Sequence, residues 1–305
     1  MGTVVISLDA ELAWGYHDID PLPDEKFETA RESWAWLIDA FEEFSIRATW
    51  AIVGHLFRAD CDGVHAETAA PNGWFRRDPG GTAEEHPLWF GPDLVESVLD
   101  SPVDHEIASH SHSHVEFGAD GTTRDIAESE VATCVALAEE WGLDLESFVF
   151  PRNNVGHLDV LAEHGFKNYR STGRRWFSDS RFRRAGKALD YGLGLSAPGV
   201  AQPSLADHGL VRHEGSQYLF SFEDPVRRFV RPLTAEPVVR RVERGLDRAV
   251  ETDGVFHLWF HPNELRSAAD YERVRTVLTA IDDRRDDLTV ATMAEVGRRV
   301  RRASE

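Results

Sequence analysis

Short apolar runs that break off into polar residues alternate along this chain with stretches of helical periodicity. Val4 to Leu8 reads as a buried parallel strand running into Asp9. The spacing predicts a helix from about Glu25 to Phe44, then a strand from Arg47 to Val53 that ends at Gly54. Residues 59–87 are rich in Gly, Pro, Asp and His and have weak periodicity, so a long excursion on the substrate side is expected there. A strand from Asp104 to Ser109 follows, then a helix from Thr123 to Trp141, a strand from Ser147 to Phe150 and a helix from His157 to Gly165. Residues 170–235 are irregular, with scattered prolines and arginines, and no element is placed in them. A helix from Glu236 to Glu251, a strand from Val255 to Phe260 and a helix from Tyr271 to Asp282 come next. A strand at Leu288 to Val290 and a helix from Met293 to Val300 close the pattern.

Repeated strand-then-helix units with buried strands imply a parallel sheet with right-handed crossovers. No internal repeat, low-complexity linker or composition break marks a second domain. The expected fold class is α/β: a distorted (β/α) barrel over residues 1–305, with insertions near 59–90 and 170–235. In such barrels the polar residues just past the strand C-termini form the active site. Four strand ends therefore hold the candidate chemistry.

The first strand ends in Ser7-Leu8-Asp9-Ala10-Glu11, and alternation puts Asp9 and Glu11 on one face. Two such carboxylates repel unless a cation or a proton lies between them; solvated acids are the plainer alternative. The second is His110-Ser111-His112-Ser113-His114. If it turns helically, His110 and His114 project from one side at i and i+4, a spacing that lets two imidazoles chelate one metal, and His112 points away. The third is Phe150-Pro151-Arg152-Asn153-Asn154, where backbone N–H groups can face the site and Arg152 can bind a carboxylate or a substrate oxygen. The fourth places His261 after Val255-Phe256-His257-Leu258-Trp259-Phe260, where a histidine can act as a general acid near neutral pH. His257 is expected to pack inside the barrel.

Taken in order, ISLDAELAWG, ATWAIVGHLF, HEIASHSHSH, FVFPRNNVGHLDVLAEHGF and HLWFHPNEL resemble the polysaccharide deacetylase (NodB-homology, carbohydrate esterase) superfamily, from about residue 3 to 300. The resemblance implies a usually seven-stranded barrel and one divalent metal, commonly Zn2+. It implies that a metal-activated water attacks the acetamide of an N-acetylated poly- or oligosaccharide. By the motif matches Asp9 is the general base, Glu11, His110 and His114 are metal ligands, and His261 is the general acid. The family's commonest pattern has adjacent aspartates, whereas Ala10 separates Asp9 from Glu11 here, so base and ligand can exchange between these two. The family's third motif, Arg-x-Pro-Tyr, is also altered: Val149 takes the Arg position and Arg152 the Tyr position. Arg152 is the expected substitute that orients the base. Trp14, Asn153 and Trp259 are expected to bind substrate, and Trp74, Trp89 and Trp176 are further candidates for stacking on sugar rings; core packing serves these Trp residues almost as well.

Composition refines this in a few respects. A hydrophobic fraction of 42% with 10% aromatics belongs to a folded chain. The formal net charge of −20 repels nucleic acid and anionic membranes. Lysine occurs only at Lys26, Lys167 and Lys187, and the acids are spread along the chain, as on a surface adapted to high salt. Cys61 and Cys134 match no metal or redox spacing and read as buried thiols. No signal-peptide pattern and no apolar run near 18 residues occurs, so a cytoplasmic protein without membrane insertion is expected. Three rival functions remain: an amidohydrolase of a non-sugar amide, a metal-independent glycoside hydrolase, which leaves the His pair unexplained, and a non-catalytic carbohydrate- or metal-binding barrel.

Overall fold

The computed structural model describes residues 1–172, 198–220 and 237–304. Strand β1 (Gly2–Ala10) leads through a 3-10 turn at Asp24–Lys26 into helix α1 (Ala30–Glu43), which starts later than its apolar spacing suggests. β2 (Thr49–Ile52) precedes the excursion, where β3 (Asp60–Cys61) pairs antiparallel with β4 (Gly81–Thr82). Helix α2 (Pro92–Leu99), for which no periodic segment was expected, returns the chain to β5 (Glu106–Ser109). Next come α3 (Arg124–Glu140), β6 (Ser147–Val149), α4 (Leu158–Glu163) and β7 (Asn168–Thr172). The Thr123 hydroxyl caps α3 by accepting from the Ile126 amide at 3.3 Å. After β8 (Ser204–Leu205), β9 (Val211–Gly215) and β10 (Gln217–Tyr218) follow α5 (Pro237–Thr252), β11 (Val255–Phe260), α6 (Ala268–Asp282), β12 (Leu288–Ala291) and α7 (Met293–Ser304).

The strands form one curled sheet in the order β10-β11-β1-β2-β5-β6-β7-β9-β8, parallel except for the antiparallel β8–β9 pair. β1 also pairs with β12 along Gly2–Val5 and with β2 along Ser7–Ala10. The sheet curls back on itself through a single stretch of chain. β9 pairs with β7, and two residues later Gln217 and Tyr218 pair with Leu258 and Trp259 of β11. Ser216, between them, donates its amide to the His257 carbonyl at 2.8 Å. With β9 and β10 taken as one stave, seven staves surround the interior among the described residues. Part of the segment left unplaced at 170–235 is thus regular strand; residues 173–197 and 221–236 of it lie outside the described residues.

Alternation along each strand explains both faces. Val4, Ile6 and Leu8 point outward into the layer holding Trp34, Leu37 and Phe41 of α1. There Trp34 stacks on Trp50 with centroids 5.1 Å apart, and each fully buried aromatic contributes about 1.5–3 kcal/mol. Inside, Val5, Ala51, Ala108, Val149 and Ala291 form a separate small cluster. Other residues buried along the same strands are polar: Ser7 and Asp9 on β1, Asn168 and Arg170 on β7, His257 on β11. Among the described residues no helix is long and apolar enough to cross a membrane.

Candidate active site

Glu11 lies one residue past β1 and has its carboxylate at the mouth, 3.1 Å from His114 Nε2 and 3.5 Å from His110 Nε2. The three ligand-type atoms all lie within 4.8 Å of one another, and all three residues are buried. Gly15 permits this placement, because a Cβ there would sit 2.2 Å from the Glu11 carboxyl.

The two histidines converge without a helix. The His110 amide donates to the Ile52 carbonyl at 2.9 Å, and the Gly54 and His55 amides donate to Ser111 and His112 carbonyls at 2.8 and 2.9 Å. This continuation of the sheet ladder holds the backbone that a helical turn would need. The chain instead reverses through Ser111 and His114, at φ of 61° and 65°, and brings the two rings to 5.1 Å. Glu130, on α3, secures the reversal by accepting from the Ser113 amide at 2.8 Å and hydroxyl at 2.6 Å. His112 faces away from the pair, toward His55 and His65.

Asp9 is held by the wrong arginine for the sequence expectation. Arg170, on β7, places Nη1 and Nη2 2.5 and 2.6 Å from the two Asp9 oxygens. It also donates to Ser7 Oγ at 3.0 Å and Asn153 Oδ1 at 3.2 Å, and lies 4.5 Å over the Trp259 ring. Arg152 does not reach Asp9. Its backbone adopts φ 52°, and its half-exposed guanidinium pairs instead with Asp18 at 2.6 Å and Glu116 at 2.7 Å. The Asn153 and Asn154 amides are taken by the Phe150 and Pro151 carbonyls at 2.8 and 3.1 Å. One strand alternation flagged Arg170 in principle: a β-rich NYRST after the helical segment 157–165 is where a (β/α) chain needs its next strand.

His261 lies across from the carboxylates, with Nε2 3.7 Å from Asp9 and 3.9 Å from Glu11. Its Nδ1 is 3.2 Å from the Tyr218 hydroxyl, which donates to Glu264 at 2.5 Å. With Nδ1–H donating to Tyr218, this relay leaves Nε2 facing the site. Tyr218 had no motif to mark it, and Glu264, inside HLWFHPNEL, was given no role. Of the expected substrate contacts, Asn153 and Trp259 touch Arg170, whereas Trp14 is fully buried. Trp14 donates to the Trp89 carbonyl at 3.0 Å and is ringed by His17, His55, Phe75 and Trp89, so it is core. Trp176 lies outside the described residues. His257 is buried, with Nε2 2.8 Å from Ser7 Oγ.

The electrostatics leave one negative charge uncompensated. Burial raises the Asp9 carboxyl, but the Arg170 guanidinium outweighs it and holds Asp9 below the ordinary range, ionised at neutral pH. Burial opposes ionisation of Glu11 too, yet His261, His114 and His110 around it bring it well below its usual value. Burial lowers His114, which favours the neutral imidazole that ligates. Asp9 takes the guanidinium, and Glu11 faces imidazoles instead. His110 Nδ1 lies 2.8 Å from the Val149 carbonyl, and its buried Nε2 has no hydrogen-bond partner. An oriented, unpartnered imidazole nitrogen beside a carboxylate and a second imidazole is a donor set that could hold a metal ion.

Solved structures share this fold. A structure assigned as a polysaccharide deacetylase from Mycobacterium smegmatis superposes with a TM-score of 0.63 at 16% identity, covering 99% of this chain and 92% of its own. Another so assigned, from Pseudomonas aeruginosa PAO1, gives 0.59 at 11% identity, covering 98% and 90%. The chain has the polysaccharide deacetylase fold. The Puue allantoinase shares this deacetylase fold, with a TM-score of 0.56 at 12% identity over 97% of this chain and 88% of its own. No protein-family model and no curated protein matches the sequence.

Proposed function

We propose that this chain is a metal-dependent hydrolase that removes acetyl groups from N-acetylated sugars. The observation that carries the reading is the convergence of Glu11, His110 and His114 beside an Asp9 clamped by Arg170, with His261 opposite. Glu11, His110 and His114 would hold a divalent ion, which would supply Lewis-acid chemistry at a water and the acetamide carbonyl. Asp9, ionised and fixed at both oxygens by Arg170, accepts the proton of that water through its remaining lone pairs. Glu11 lies against both imidazoles, which supports Glu11 as ligand and Asp9 as base. His261 Nε2 faces the same space and protonates the leaving amine, while Tyr218 and Glu264 fix its tautomer. Catalysis is favoured over a binding barrel because base, ligands and acid are all present in one mouth.

A second reading, hydrolysis of a non-sugar amide at the same site, is favoured by one observation. Trp14 is sealed in the core and Trp259 is covered on a face by Arg170, which leaves few aromatic platforms for a sugar ring among the described residues. Metal content in high salt, measured beside acetate release from N-acetylglucosamine oligomers, tests both. His110→Ala/His114→Ala should lose one divalent ion per chain together with acetate release. Metal bound at this site without acetate release from any N-acetylated sugar selects the second reading. A double variant that keeps its full metal content removes both.

A further inference from the structure

A second group of ligating side chains, separate from the active site, lies under the excursion that follows β2. His55 stands in the turn leaving β2, Cys61 on β3, His65 four residues on, and Asp78 just before β4. Their ligand-type atoms all lie within 4.8 Å of one another. Asp78 Oδ2 is the common point: it is 3.4 Å from His55 Nε2, 3.4 Å from Cys61 Sγ and in direct contact with His65 Nε2. A tetrahedral ion with bonds of about 2.0–2.3 Å separates its ligands by roughly 3.3–3.8 Å, the range of two of these distances.

The side chains of His55, His65 and Asp78 are almost fully buried. His55 Nδ1 is 3.3 Å from the Trp89 carbonyl, which leaves its Nε2 aimed into the group with no hydrogen-bond partner. His112 lies against the group, its ring 5.8 Å from His55 and 6.2 Å from His65, and neither of its nitrogens has a hydrogen-bond partner. The backbone is shaped to hold this arrangement. Asp62 accepts from the Val64 and His65 amides at 2.8 and 3.2 Å, His65 adopts φ 52°, and Asp78 Oδ1 accepts from the Gly80 amide at 3.0 Å. Three groups that each need a proton to bond Asp78 crowd one carboxylate oxygen, while a cation among them satisfies all four at once.

We propose that His55, Cys61, His65 and Asp78 form a second, structural metal site that takes a zinc-type divalent ion and staples the 59–87 excursion to the barrel mouth. A thiolate and two imidazoles select such an ion over calcium or magnesium. The staple reaches the active site through two neighbours on the excursion. Phe75 stacks on His65 with centroids 4.1 Å apart, and Trp74 Nε1 donates to the Ser113 carbonyl at 2.9 Å, next to His114.

The metal-stripped full chain titrated with Co2+ tests this, because thiolate ligation gives cobalt a near-ultraviolet charge-transfer band that a His/carboxylate centre does not. Cys134 is buried on α3 and lies outside this group. Wild type should bind two ions per chain and show the band. Cys61→Ser should lose the band and one ion, while His110→Ala/His114→Ala should lose one ion and keep the band. That pairing separates failure of this site from failure of the catalytic one. Zn2+ should also suppress alkylation of Cys61 in the unsubstituted chain, which needs no variant to fold. Absence of the band in wild type, a band that survives Cys61→Ser, or alkylation of Cys61 unchanged by Zn2+ would each overturn the proposal.

Discussion

Replacing Arg170 by Met keeps the aliphatic stem and removes the guanidinium. Asp9 then stays buried and loses two short charge-assisted bonds, at 2.5 and 2.6 Å, while Ser7 and Asn153 lose donors at 3.0 and 3.2 Å. Removing one partner of a buried ion pair costs about 3–5 kcal/mol, because the other charge is left in low dielectric. At roughly 1.6 °C per kcal/mol for a chain of 305 residues, the melting temperature should fall by about 5–8 °C. The pH dependence has a definite sign. In the wild type Asp9 titrates below its ordinary value, so its contribution is present above that value and is lost as pH falls through the folded-state pKa. Without Arg170, burial, the largest influence on Asp9, is opposed only by His261 and His110 and should raise it, so the variant's deficit should grow as pH rises from 5 to 8. Urea unfolding in high salt at both pH values measures this, with Asp9→Asn/Arg170→Met expected to recover part of the loss. Acetate release should drop roughly a hundredfold, the lower end of a general base's contribution. An Arg170→Met protein within about 1 kcal/mol of wild type at pH 8, with activity intact, would refute the reasoning.

Three further outcomes are expected. Burial raises Glu130 from 4.5 to about 7, so wild-type stability should fall as pH rises through that window and level off above it; Glu130→Gln should gain about 3 kcal/mol on wild type between pH 4.5 and 8, and a gap independent of pH counts against this. Gly15→Ala should fold but push aside the Glu11 carboxyl that its Cβ would meet at 2.2 Å, weakening metal retention at the His110–His114 site; equilibrium dialysis with unchanged affinity contradicts it. Arg152→Ala breaks only two half-exposed ion pairs and should cost at most about 1 kcal/mol, with acetate release near wild type; a loss matching Arg170→Met would return the base-orienting role to Arg152.

The barrel was legible because its strands are buried on both faces and so read as continuous apolar runs between amphipathic helices. Val255 to Phe260 was placed to the residue, and β1, β2, β5 and β6 to within a few. What failed to register were elements whose stability comes from elsewhere in the fold. Helix Pro92–Leu99 spans only eight residues, too few for a periodic signal to stand out. β9 and β10 are short and polar, VRHEG and QY, and are strands because β7 and β11 offer them partners rather than through any pattern of their own.

The candidate site divides along the same line. Asp9, Glu11, His110, His114 and His261 stand where chemistry-bearing residues follow a recognisable strand, so position and residue type spoke together. The geometry assumed for the His pair was still wrong, since i+4 spacing suggests a helix only when nothing else claims the backbone, and here the exit of β2 claims it through the Ile52, Gly54 and His55 bonds. Arg170 and Tyr218 act on Asp9 and His261 from strands 161 and 43 residues away in sequence. Their roles exist only because the sheet curls, so that β7 faces β1 across the interior and β10 lies beside β11. A charge-orienting partner needs only to arrive at the right place, from any stave. This chain holds Asp9, the proposed base, with an arginine on a different strand from the one its third motif suggested, and the inward alternation of β7 is what carries that guanidinium to Asp9.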